Sequence, residues 1–243
     1  MGSASLLPSD LYLTPTIGLS ANNYPYKPVA TYAWPALASA ALAAFAGCVE
    51  VICPTGDLFI DAPHQAEQRQ QLWSHYAAHP HCVYLLLTRH PANVMRMIPR
   101  SAVWRKGNQL PDNVLIGCLI DSQQAAEKLI PDLLQIPGRH FLYHPALLSP
   151  IPYLLNGTYR HTEAGSDLEQ CVGCGAGVWE DAASCSNCRC TESEEWTPDQ
   201  MLDLIIIPDT ASSGSELQVS WLEKLHADYD RAGISVIRNI AHT

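Results

Sequence analysis

"LPDNVLIGCLIDSQQAAEKLIPDLLQIP", residues 110–137, decides the fold class. Its first half contains NVLIGCLI (113–120), an almost unbroken apolar run of strand length. Runs of this kind belong to strands covered on both faces. Its second half, SQQAAEKLIPDLLQI (122–136), is an amphipathic helical stretch. A strand followed at once by a helix is a βα unit, and the rest of the chain repeats it. Strand-like runs recur at CVEVIC (48–53), CVYLLLT (82–88), RHFLY (139–143), LDLIII (202–207) and ISVIRN (234–239). Amphipathic stretches lie between them at 65–78, 91–98 and 215–232, with Pro91 placed to start a helix and Gly233 to cap one. This order predicts an α/β fold with a parallel sheet of about six strands and right-handed crossovers. The spacing fits a (β/α) barrel-like sheet and an open doubly wound one equally.

Three regions follow. Residues 1–35 read as an irregular, proline- and tyrosine-rich wrap; 36–162 and 200–243 form the (β/α) body; 163–199 interrupt it as an insert. No internal repeat stands out. The opening MGSASLLPSD lacks a basic secretory leader, and the small-apolar run at 36–47 is too short to span a bilayer. The expectation is a cytoplasmic protein of a bacterial cell, without membrane attachment.

The formal charge is −10 and unevenly spread. Between Glu163 and Asp203 lie ten acidic residues and one basic one, Arg189, leaving the remaining chain close to neutral. Such an island repels nucleic-acid backbones, whose binding depends on Lys and Arg neutralising phosphates.

The island surrounds CVGCGAGVWEDAASCSNCRC (171–190). Cys171 and Cys174 make one C-x2-C pair and Cys185 and Cys188 another, with ten residues between them. Two such knuckles bring four thiolates around one tetrahedral ion, the ligand arithmetic of a zinc ribbon. Gly173 and Gly175 suit the tight first knuckle. Cys190 is a fifth candidate, and an iron–sulfur cluster uses the same ligand type. A short polar insert buries too little apolar surface to fold unaided, so the metal would act as a staple.

Ligands of parallel α/β folds bind at the carboxyl ends of the strands. Asp57, Asp121, His144 and Asp209 are the acid–base candidates there, and Thr88, Arg89, Gln123 and Asn239 the substrate-binding ones. His75 and His79 stand one helical turn apart, and Arg89, Arg96, Arg100, Arg105 and Lys106 form a basic patch near Trp104. Both are read as solvated surface, and Cys82 and Cys118 as small core residues.

The segments GDLFIDAP (56–63), YLLLTRHPANV (84–94), 110–137 and ALLSPI (146–151) resemble a phage-associated family of uncharacterised proteins related to radical-SAM barrels. The resemblance implies a (β/α) barrel and a phage or mobile-element origin. Asp57, Thr88 and Gln123 fall on matching positions. The family's N-terminal three-cysteine cluster has no counterpart, since Cys48 and Cys53 share one strand; its glycine-rich loop is replaced by PDTASSG (208–214). These departures imply a degenerate barrel. Two readings lead, a third, nucleic-acid binding through the arginine patch, being disfavoured by the overall charge. One is a non-catalytic protein that binds a protein partner through its acidic zinc ribbon. The alternative is an enzyme of altered chemistry acting on a nucleotide-like substrate at the barrel mouth.

Overall fold

The βα unit at 110–137 forms as its pattern requires. Strand β3 (Val114–Leu119) is buried along its whole length. Ser122 then caps helix α2 (Gln123–Leu134), its hydroxyl accepting from the Ala125 amide at 3.3 Å. The helix turns Ala126, Ile130, Leu133 and Leu134 inward. The computed structural model describes residues 50–52, 57–61, 82–98, 110–144, 147, 149–151, 167–195, 202–208 and 216–239, with Ala66, Arg69, Trp73, Tyr76 and Pro80 as single positions. The predicted wrap at 1–35 lies outside them.

Strands β1 (Glu50–Ile52), β2 (Cys82–Thr88), β3, β4 (Arg139–Tyr143), β8 (Leu204–Pro208) and β9 (Val236–Asn239) form one parallel sheet in that order. Helix α1 (Pro91–Met97) joins β2 to β3, α2 joins β3 to β4, and α3 (Glu216–Arg231) joins β8 to β9. Pro91 begins α1 and Gly233, at φ 76°, follows α3. The predicted six-stranded parallel sheet is therefore present. A doubly wound sheet reverses its strand order at a switch point; this one runs through in sequence order.

Alternation along the strands divides the apolar residues. Tyr84, Leu86, Ile116, Leu142, Ile205 and Ile207 join the helices in the larger core. Val83, Leu85, Leu115, Phe141, Leu204 and Ile206 are buried together on the opposite face. Gly117 is required there: it pairs with Phe141, and a Cβ at 117 would collide with the Phe141 ring.

The insert forms its own antiparallel sheet, ordered β6 (Gly177–Trp179), β5 (Leu168–Cys171), β7 (Ser193–Glu194). It is joined firmly to the body. Leu168 is buried in the larger core, and Trp179, its partner across the β5–β6 ladder, packs against the same core. The ribbon thus lies in the β4-to-β8 connection and contributes Leu168 and Trp179 to the core that the helices share. Asp203 closes the excursion: its carboxylate accepts from Arg139 Nε at 2.7 Å and from the His140 amide at 2.9 Å, aligning the starts of β4 and β8.

Truncating Leu168 to Ala should lower unfolding stability by about 2–4 kcal/mol, with metal content unchanged. Denaturant titration measures the first and elemental analysis the second. A loss below about 0.5 kcal/mol would mean that the ribbon is not docked into the core.

Candidate metal centre

The two knuckles are built alike. In the first, the Cys171 amide donates to the Ala176 carbonyl at 2.9 Å, and the Gly175 amide to the Cys171 carbonyl at 2.8 Å. In the second, Cys185 donates to the Cys190 carbonyl at 2.8 Å and Arg189 to the Cys185 carbonyl at 2.9 Å. The residue after each second cysteine is left-handed, Gly175 at φ 74° and Arg189 at φ 65°. Glycine meets that demand freely; an arginine there carries roughly 1–2 kcal/mol of strain. Gly173 is fixed by crowding, since a Cβ would lie 3.0 Å from Cys190 Cβ and 3.1 Å from Cys188 Sγ.

These turns aim backbone N–H groups at sulfur. Gly173 and Cys174 donate to Cys171, Ala176 to Cys174, and Asn187 and Cys188 to Cys185. The Asn187 side chain adds a hydrogen bond to Cys174 from the opposite knuckle. Such donors stabilise thiolates. The four Sγ atoms lie within 4.8 Å of one another, with Cys171–Cys188 at 3.5 Å and Cys174–Cys185 at 3.6 Å. A tetrahedron with metal–sulfur bonds of about 2.3 Å has edges of about 3.8 Å. All four thiols are free, and the set can bind a metal ion.

Without an ion Cys171, Cys174 and Cys185 hold their protons unevenly. Burial pushes Cys171 far up and Cys174 up to about 11, against the pull of their N–H donors. Burial acts on Cys185 in the same sense, but the Cys188 and Asn187 amides and the neighbouring thiols outweigh it and lower that group. A cation replaces the shared protons, so binding is coupled to their release. Cys190 is outside the set: its Sγ accepts from the Glu192 amide at 3.5 Å. This resolves the choice between Cys188 and Cys190 in favour of Cys188.

Around the centre, Glu180, Asp181, Glu192, Glu194 and Glu195 are exposed, and so is Val172. Asp203 belongs instead to the clamp on Arg139. Glu163 and Asp199 lie outside the described residues.

The candidates at the strand ends divide into two groups. Asp57 accepts from the Phe59 amide (2.9 Å), the Thr88 hydroxyl (2.8 Å) and the Arg89 amide (2.8 Å). Thr88 Oγ1 accepts in turn from the His90 amide. This network pins the segment after β1 to the end of β2. The second group joins β3, β4 and α3. His144 is fully buried, with Nδ1 2.7 Å from the Ile120 carbonyl and Nε2 2.7 Å from the Tyr229 hydroxyl. A carbonyl only accepts, so Nδ1 carries the proton and Nε2 accepts from tyrosine. Asp121 accepts from Ser122, and Gln123 donates to Glu127. Asp209 lies outside the described residues, as do His75, His79, Arg100, Trp104, Arg105 and Lys106; Asn239 ends β9 with its side chain undescribed. Arg96 pairs with Asp61 at 3.2 Å on the surface. Among the described residues, only the four cysteines group as metal ligands, and no helix is long and apolar enough to cross a membrane.

Residues 47–235 match the family described as "Protein of unknown function (DUF5131)". The chain belongs to the DUF5131 family. No curated protein and no solved structure matches it. In this DUF5131 chain the site-building residues that the sequence pattern did not single out are Asn187, Arg189 and Leu168. Arg189 alone carried a signal, because it follows its C-x2-C pair just as Gly175 follows the other.

Two outcomes are expected. Arg189→Gly should stabilise the metal-bound ribbon by about 0.5–1 kcal/mol and Arg189→Val should destabilise it by at least about 1 kcal/mol, read from chelator-challenge melting. Burial, partly opposed by the Ile120 bond and Asp121, lowers His144 from its ordinary 6.5 to about 4. The folded chain therefore keeps it neutral while the unfolded chain protonates it. Its contribution of about 3 kcal/mol is complete above pH 6.5 and is lost as pH falls towards 4. Imidazole NMR should show an Nδ1–H tautomer unchanged from pH 8 to 5; titration near 6.5 would place the ring in water.

Proposed function

We propose that this protein is a non-catalytic binding protein of phage or mobile-element origin, working in the cytoplasm of a bacterial host cell. In this reading it is a degenerate radical-SAM-like barrel whose zinc ribbon presents an acidic surface to a protein partner. The observation that carries the reading is the four-cysteine cluster, closed by its own ligands. Four sulfurs complete a tetrahedral zinc shell, whereas catalytic zinc keeps a position for water or substrate. A [4Fe–4S] cluster puts each cysteine sulfur on its own iron and a [2Fe–2S] cluster divides the four between two irons, whereas here all four lie within 4.8 Å of one another; a single tetrahedral ion such as Zn²⁺ suits that arrangement.

The sheet supports the barrel. Its strands run in sequence order, and its second buried face, lined by Leu85, Leu115 and Phe141, has the apolar character of a barrel interior. Two of the four strand-end acid–base candidates, Asp57 and His144, favour a structural role over chemistry. Both Asp57 oxygens and both His144 ring nitrogens are engaged in ties between structural elements. The exposed carboxylates, joined by the net charge of −2 of a zinc tetrathiolate, produce a field that attracts and steers basic surfaces.

Cross-linking capture from native host cells, followed by kinetics with the captured partner, tests this. Association should be fastest at low salt and weaken through about 0.15 M ionic strength. Replacing Glu192, Glu194 and Glu195 together by Gln should slow it about tenfold while metal content is retained. Unchanged association by that variant would mean that the carboxylates are merely solvated.

A further inference from the structure

Strand β7 is an edge of the ribbon sheet, and with the residues flanking it gathers Glu192, Glu194 and Glu195. It pairs with β5 through Gln170–Glu194 and Cys171–Ser193, and the Val172 amide donates to the Glu192 carbonyl at 3.1 Å. That bond sets the phase of the ladder. The Glu192 carbonyl and position 194 face β5, while the Glu192 amide turns to Cys190 Sγ, so position 193, and 195 in the same alternation, direct their backbone groups away from β5. Residues 191–195 are all exposed, and β5 is the one strand flanking β7 among the described residues. The Ser193 side chain is already fixed by its bond to Glu169, which holds the edge in an extended form.

An exposed edge normally invites any strand, but the charges here make it selective. A second copy pairing edge to edge would set Glu192, Glu194 and Glu195 against the same carboxylates, a destabilising arrangement. A strand with Lys or Arg at every second position would place cations opposite Glu192 and Glu194, which share one face. The residues between them would exchange backbone hydrogen bonds with Ser193.

We propose that β7 is a strand-addition site for an extended, basic segment of another protein, with backbone bonds supplying the geometry and the carboxylates the selectivity. This rests on the partner-binding reading above and names the mode of that binding.

The test uses the full-length, metal-loaded chain and an acetylated peptide of alternating Lys and Thr. A control peptide of equal charge is N-methylated at its threonine amides. The parent peptide should bind, shift the Ser193 and Glu195 amide resonances, and lose at least about tenfold in affinity on N-methylation. The triple Glu192, Glu194, Glu195→Gln variant, checked for metal content, should lose a similar factor. Equal binding of the methylated peptide overturns strand addition while leaving the acidic surface as the partner site. Equal binding of the parent peptide by the triple variant overturns both readings. Failure of the parent peptide to bind, or dimerisation of the chain through β7, overturns the strand-addition site.

Discussion

The ribbon depends on the convergence of four cysteine sulfurs on one point. Residues 167–195 are short and mostly polar, and their small buried cluster consists chiefly of the cysteines themselves with Ala176. So little apolar area cannot offset the conformational entropy of ordering the segment. A metal ion bound by four thiolates can, because its binding free energy becomes folding free energy. The knuckle hydrogen bonds, the left-handed Gly175 and Arg189 and the crowded Gly173 all serve to hold the sulfurs at tetrahedral separations.

That local constraint extends into the body. Each βα crossover must cover one face of the sheet, and between β4 and β8 the ribbon takes part in that cover through Leu168 and Trp179. Order at the metal centre and burial in the larger core are therefore linked across only a few residues of β5, from Cys171 back to Leu168. Asp203 completes the link by fixing where the chain re-enters the sheet. The exposed carboxylates are thus carried on a segment with the four clustered cysteines at one end and a hydrophobic anchor, Leu168 and Trp179, at the other.

The body was legible because its signals are periodic. The predicted strand at 82–88 and strand at 139–143 coincide with β2 and β4, and helix 122–136 differs from α2 only at its frayed ends. The cysteine set was legible because paired C-x2-C spacing has a geometric meaning. What stayed hidden was long-range. Nothing near Leu168 or Trp179 distinguishes a residue packed inside its own ribbon from one docked into a distant core. His144 read as a strand-end acid–base group because its partners, Ile120 and Tyr229, lie 24 and 85 residues away in sequence. The same holds for Asp57, whose partner Thr88 is 31 residues distant. Polar residues at strand ends look alike in sequence whether they meet a ligand or each other.

X-ray absorption spectroscopy of the purified full-length chain tests the central claim most directly. A zinc edge with four sulfur neighbours at about 2.3 Å is the expected result. An iron edge, or a first shell in which nitrogen or oxygen replaces any of the four sulfurs, would contradict it.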